Sequence, residues 1–186
     1  MGYSVQEKAE CVGTFRWIEI QLMELLARWV PTTPEMEVKV LFGRHVWDCA
    51  QHADMFGKRA FELRAQLHYT LAALPDFRSW LAGVAELVPT WDRVSAFYGI
   101  VCPVMDRHYR HYLAQTDPLM DEPTVRIIET VLRDYERMSK ECDRLAGESL
   151  RIAPATDLPQ WLTRSQGLVH VVAHSPDKRR ARGVTV

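Results

Sequence analysis

The amino-acid sequence predicts an all-α protein: an up-down four-helix bundle with a short crossover helix and an irregular C-terminal arm. Apolar residues recur every three to four positions through almost every segment, which is the period of an α-helix. Short breaks containing proline separate the long segments, and no segment gives a convincing sheet. Four long helices joined by short connections pack as neighbours around one core.

The first predicted helix runs from about Val12 to Val30 and ends at Pro31. The second begins near Pro34, after a threonine cap, and carries acidic residues in its first turn, where the helix dipole favours them. It is predicted to run to about Leu71, which is unusually long, with a glycine as a point of bending. These two helices supply half of the predicted bundle.

Trp80 to Val88 predicts a short helix that lies over the bundle before Pro89 ends it. A third long helix is capped by Thr90 and is predicted to kink at Pro103, because the proline ring removes a donor and clashes one turn back. Its predicted inward positions are Val94, Tyr98, Val101, Met105, His108 and Tyr112. The fourth helix is predicted to turn inward Ile127, Ile128, Val131, Tyr135, Met138, Cys142 and Leu145.

The chain divides at about residue 153. Residues 1–153 form the predicted bundle domain, and residues 154–186 form a C-terminal arm with a basic tail. Within the arm, the apolar run from Gly167 to Val172 predicts either a strand-like arm or a clasp that docks on the bundle. The sequence does not decide between these two interpretations.

Composition limits the partners and the compartment. A net charge of −1 argues against nucleic acid or an anionic membrane as the main partner, since such binding needs a basic surface. The apolar runs are shorter than the roughly 20 residues of a membrane span, and the amino terminus lacks the pattern of a secretory signal. The four cysteines lie far apart, as reduced structural thiols would. The sequence therefore predicts a soluble, cytoplasmic protein.

The segment from Gly43 to Asp54 carries the candidate site. It places His45, Asp48 and His52 along one flank of the second helix, and the two histidines lie about 40 to 60° from the centre of an apolar stripe. Glu19 lies at the edge of the inward face of the first helix. His108 and Tyr112 belong to the inward stripe of the third helix, and Tyr135 to that of the fourth.

These inward polar groups allow three interpretations. Glu19, His45, Asp48, His52 and His108 are candidate metal ligands, because imidazole and carboxylate bind iron, manganese or zinc. Alternatively, they form a satisfied hydrogen-bond network in which Arg44, Arg59 or Arg16 pairs with the carboxylates. The third interpretation is a metal-free pocket for acid-base chemistry. The candidate catalytic residues are His52, Asp48, His108 and Tyr112.

Paired long helices, a crossover and inward acidic and histidine groups resemble the ferritin-like superfamily over about Val12 to Leu145. The resemblance implies a metal site between facing helices, built from glutamates and two Glu-x-x-His motifs. This sequence contains no Glu-x-x-His. The resemblance therefore implies a remodelled site for iron or manganese.

The first functional hypothesis is an enzyme that acts on a small organic molecule. With iron or manganese it would be an oxidase or oxygenase. Without a metal, a histidine oriented by Asp48 would serve as a general base. The second hypothesis is a non-catalytic oligomerising or partner-binding helical protein whose inward polar groups fix helix register. Helix length and six tryptophans favour a homodimer.

Overall fold

The computed structural model describes residues 3–67 and 69–148, and its regular structure there is entirely helical. The elements in chain order are α1 (Val5–Thr32), α2 (Met36–Glu62), α3 (Pro75–Ala85), α4 (Thr90–Ala96), a π-helical turn (Phe97–Val101), α5 (Cys102–Gln115) and α6 (Glu122–Glu148). No strand occurs within these two ranges, so the all-α prediction is confirmed. The predicted arm at residues 154–186, with Gly167 to Val172, lies outside the described residues.

Helix α1 begins at Val5, earlier than the predicted Val12, because a capping box starts it. The Glu7 N–H donates to the Ser4 hydroxyl, and the Ser4 N–H donates to the Glu7 carboxylate at 2.9 Å. These two bonds satisfy amide groups that a helix start otherwise leaves unpaired. The Ser-x-x-Glu signal for this start is present in the sequence.

Helix α2 ends at Glu62, well before the predicted Leu71. Arg64 adopts a left-handed conformation with φ of 65°, and the Ala65 N–H donates back to the Ala60 carbonyl. This is the hydrogen-bond pattern of a Schellman motif, whose left-handed position is usually a glycine. An arginine there gives no helix-stop signal in the sequence, which is why the predicted helix extends nine residues too far.

The connection after α2 crosses α1 at Gly13. The Leu71 N–H donates to the Gly13 carbonyl at 3.1 Å, and a Cβ added at Gly13 would lie 2.6 Å from the Tyr69 ring. Only glycine leaves room for so close an approach. The connection is thereby held against the first helix.

Helix α4, the π-helical turn and α5 follow one another without a break, and the turn lies directly before Pro103. The Cys102 N–H donates to the Phe97 carbonyl, five residues back. In a regular α-helix the proline ring would clash with the carbonyl of Gly99, and a widened turn accommodates it. The steric clash predicted at Pro103 is therefore avoided by a π-helical turn.

The core lies between α1, α2, the α4–α5 helix and α6. Its largest fully buried side chains are mostly aromatic, among them Trp29, Tyr109, Phe15, Phe42, Phe56 and Phe97. Helix α2 packs along α1 on one side and along α6 on another. Within the described ranges, no helix is long and apolar enough to cross a membrane.

Candidate functional site

Glu19 of α1 is fully buried, and three donors converge on its carboxylate. The Tyr109 and Tyr135 hydroxyls donate to Oε1 at 2.5 and 2.7 Å. The Nδ1 of His52 lies 3.1 Å from Oε2. A carboxylate only accepts hydrogen bonds, so three donors on its two oxygens satisfy it inside the core.

His52 of α2 lies between two acids. Its Nδ1 faces Glu19, and its Nε2 lies 3.1 Å from the Asp134 carboxylate of α6. Burial alone would lower the pKa of His52, but the Glu19 charge and the hydrogen bonds to both acids outweigh burial and raise it to about 9. His52 is therefore an imidazolium at neutral pH, with both ring N–H groups donating.

Three pairs of polar side chains join α2 to α6, and we call their six residues the polar seam. The polar seam pairs His45 with Glu141, Asp48 with Arg137, and His52 with Asp134. The corresponding N···O distances are 3.3, 2.8 and 3.1 Å. On each helix the paired residues are three and four positions apart, so the three pairs lie one after another along the contact. Residue numbers rise along α2 while they fall along α6, so the two helices are antiparallel, and we call each pair a rung.

Arg137 connects the three rungs. Besides Asp48, its guanidinium contacts Asp134 at 3.1 Å and Glu141 at 3.2 Å. One cation therefore lies among three carboxylates, and two of them, Asp134 and Glu141, also bind His52 and His45. The polar seam is one connected network, and His52 joins it to the buried Glu19.

His45 differs from His52 in its charge state. Burial lowers the pKa of His45 and outweighs the Asp48 and Glu141 charges, which raise it. Its Nε2 lies 3.3 Å from the Glu141 carboxylate, and its Nδ1 lies 2.6 Å from the Tyr98 hydroxyl. Since Glu141 only accepts, we assign the proton of the neutral ring to Nε2, and Tyr98 then donates to Nδ1.

The structure thus brings together Glu19, His45, Asp48 and His52, four of the residues selected from the sequence. Their roles as metal ligands or catalytic groups stay predictions. Of the arginines expected to pair with the carboxylates, Arg44 contacts Glu141 at 3.4 Å, whereas Arg16 donates to Thr70 outside the polar seam.

The predicted inward position of His108 is wrong. His108 is only half-buried, and Tyr109 occupies the inward position and reaches Glu19. At about 100° per residue, Tyr109 lies about 40° from Met105 in rotation around the helix, and His108 lies about 60° from it on the other side. A spacing of three and four residues between Met105 and Tyr112 fits either His108 or Tyr109. The less polar Tyr109 ring occupies the buried side.

Tyr112 is buried as predicted, but it belongs to a second cluster at one end of the molecule. Its hydroxyl donates to the fully buried carboxylate of Asp121 at 2.7 Å. The other donors to Asp121 are Thr116 and Thr124, at 2.9 and 2.7 Å, and Arg59, at 3.0 Å. We call these five residues the Asp121 cluster, and it is separate from the polar seam.

The residue types of the polar seam suit a divalent metal, but their arrangement does not fit one. Both ring nitrogens of His52 face carboxylates, and the Arg137 guanidinium fills the space among Asp48, Asp134 and Glu141. In the part of the chain that the structure describes, no three His, Cys, Asp or Glu side chains converge on a common point. A metal ion would have to displace a proton and a guanidinium.

A groove of about 730 Å³ lies between α5 and α6 and is large enough for a small molecule. Its walls include Cys102 and Tyr135. His52 is fully buried, with its ring centre 5.9 Å from that of Tyr135. A molecule in this groove meets the ring of Tyr135 rather than the imidazole.

No protein-family model, curated protein or solved structure matches this chain. The resemblance to the ferritin-like superfamily therefore stays a prediction.

Arg137→Ala tests whether the guanidinium holds the three carboxylates together. We expect a loss of about 1–2 kcal/mol of unfolding free energy, modest because Arg137 is partly exposed and water screens its charge. Asp48 Oδ2 is buried and has no hydrogen-bond partner among the described residues, so a small cation can bind there once Arg137 is removed. Manganese should then raise the melting temperature of the variant but not that of the unaltered protein.

Lys140→Ala is the matched control, because it removes an exposed cation of α6 that pairs with Glu136 outside the polar seam. An equal response of both variants to manganese would contradict the prediction. Near-stoichiometric iron or manganese in the unaltered protein, lost in Asp48→Ala, would show that the polar seam binds metal with Arg137 in place.

Proposed function

We propose that this chain is a non-catalytic helical module for protein association. In this proposal the polar seam fixes the register of α2 against α6, and the outer face of α2 binds a protein partner. The proposed architecture is the ferritin-like four-helix bundle, with α1, α2, the continuous α4–α5 helix and α6 as its four long helices. The strict up-down order predicted from the sequence is wrong, because the α4–α5 helix runs parallel to α2: Tyr98 stacks on Phe42, and Tyr109 stacks on Phe56.

The sequence of charges along the polar seam supports a role in register. Sliding α6 by one turn in one direction would bring Asp48 against Asp134, two like charges. Sliding it in the other direction would bring Asp48 against Glu141 and the His52 cation against Arg137. Like charges at close range disfavour both alternatives, whereas every rung of the observed register pairs groups that attract.

The observation that carries the proposal is a row of exposed apolar side chains on α2. Met36, Val40 and Trp47 are 65%, 49% and 66% exposed. Together with Gly43 they are spaced by four, three and four residues, as in the seam of a coiled coil. We call these four residues the α2 row. Contiguous exposed apolar surface marks a site of protein interaction.

A photo-cross-linking amino acid at position 47 tests this function in the cells that make the protein. We expect benzoylphenylalanine there to form covalent adducts with a protein, because a bound partner would cover the α2 row. The matched control is the same amino acid at Leu119, which is 84% exposed on the loop between α5 and α6. No adduct from position 47, or equal adducts from both positions, would refute the proposal.

A further inference from the structure

We infer that the partner of the α2 row is a second copy of this chain, bound through its own α2 row in an antiparallel pair. The inference rests on the proposed function, because it names the partner of the same surface.

The spacing of the α2 row makes it complementary to itself. Its four positions are symmetric about the midpoint between Leu41 and Phe42. In an antiparallel pair centred there, Met36 faces Trp47 of the second copy, and Val40 faces Gly43 of the second copy. A Cβ added at Gly43 would meet no atom within 4 Å, so the space above that glycine is open to a side chain from outside.

Charges beside the α2 row fit the same arrangement. Glu37 and Arg44 are both exposed and lie on the same side of the row. The antiparallel pairing brings Glu37 of each copy near Arg44 of the other, so the attraction occurs twice. Complementary charges around an apolar contact favour one partner and one orientation.

The competing occupant is the C-terminal segment of the same chain. Leu145 of α6 and Met36 wall a groove of about 270 Å³ at the start of the α2 row. The described part of α6 ends at Glu148, one turn beyond that groove, and residues 149–186 follow it in the sequence. The experiment below separates this occupant from a second copy.

Light scattering of the purified full-length protein tests the inference. We expect a mass of about 43 kDa, twice the 21.5 kDa of one chain. Gly43→Gln should halve that mass and leave the monomer folded, as its helical circular dichroism will show, since glutamine favours a helix over glycine and meets no neighbour within one chain. Trp47→Glu should also halve it. Gly147→Gln on α6, where space is equally open, is the matched control and should keep the dimer.

A monomeric unaltered protein, or a dimer that survives both Gly43→Gln and Trp47→Glu, would overturn the inference. A monomer that dimerises only after residues 154–186 are removed would assign the α2 row to that segment and overturn it too. If the monomer still gives adducts from position 47 with another protein, the second-copy inference fails and the proposed function stands. If position 47 gives no adducts, both fail.

Discussion

Replacing Glu19 by alanine is expected to lower the unfolding free energy by about 3–5 kcal/mol, the cost of removing one partner from a buried ion pair. The change leaves the buried His52 cation with Asp134 alone, and it removes the acceptor of the Tyr109 and Tyr135 hydroxyls. Urea denaturation at neutral pH measures the loss. Glu24→Ala is the matched control, because Glu24 lies exposed on the same helix. Equal losses from the two variants would contradict this role for Glu19.

The ion pair between Glu19 and His52 predicts a fall in stability at alkaline pH. Folding raises the pKa of His52 from 6.5 to about 9, so its contribution is complete below pH 6.5 and is lost as the pH rises through 9. The expected fall is on the order of 2–3 kcal/mol. In Glu19→Gln one of the two acids that raise the pKa of His52 is gone, and the fall between pH 6.5 and 9 should shrink strongly. An unchanged fall in that variant would show that another group titrates there.

The helical fold was predictable because it depends on local periodicity. The apolar stripes of α1 and α2 appear in the sequence with the right period. The start of α4 lies within one residue of the prediction, although Pro89 rather than Thr90 is the N-cap. The ends of helices depend on single residues instead. Arg64 ends α2 in a left-handed conformation that arginine rarely adopts, so the residue type at that position gives no signal for the boundary.

Only the α2 half of the polar seam was predicted. His45, Asp48 and His52 lie close enough to an apolar stripe to be recognised, whereas Asp134, Arg137 and Glu141 lie farther around α6 from its buried stripe and resemble an ordinary solvated face. Their partners become visible only when α6 is placed antiparallel to α2. One signal was available: Asp-x-x-Arg-x-x-x-Glu repeats the three-and-four spacing of His-x-x-Asp-x-x-x-His.

The Asp121 cluster was missed for a different reason. Asp121 precedes a helix in a segment with prolines on both sides, where an aspartate ordinarily serves as a turn residue. Its carboxylate instead binds donors from α2, α5 and the start of α6. Tyr112, Thr116 and Thr124 lie within nine residues of Asp121, but Arg59 lies 62 residues away, and no local pattern predicts that contact.

Asp121→Ala is expected to cost about 3–5 kcal/mol of unfolding free energy, because it leaves a buried cation and three hydroxyls without their common acceptor. The Arg59 side chain is 10% exposed and would keep the Thr124 hydroxyl and Glu62, a carboxylate that is itself 57% exposed. Denaturant unfolding at neutral pH measures the loss. Asp117→Ala is the matched control, since Asp117 lies exposed on the same loop and accepts only from backbone amides in the described structure.

Asp121 also predicts sensitivity to acid. Burial alone would raise its pKa, but hydrogen bonds from Thr124, Tyr112, Thr116 and Arg59 outweigh burial and lower the pKa below 3.8. Its stabilising effect is therefore complete above pH 3.8 and is lost as the pH falls through the lowered value. Asp121→Asn keeps the shape but has no titrating group, so its stability should fall less between pH 5 and pH 2 than that of the unaltered protein. The pKa of Asp134 is also lowered, chiefly because Asp134 accepts a hydrogen bond from His52, so part of the acid-induced fall belongs to the polar seam and should remain in Asp121→Asn.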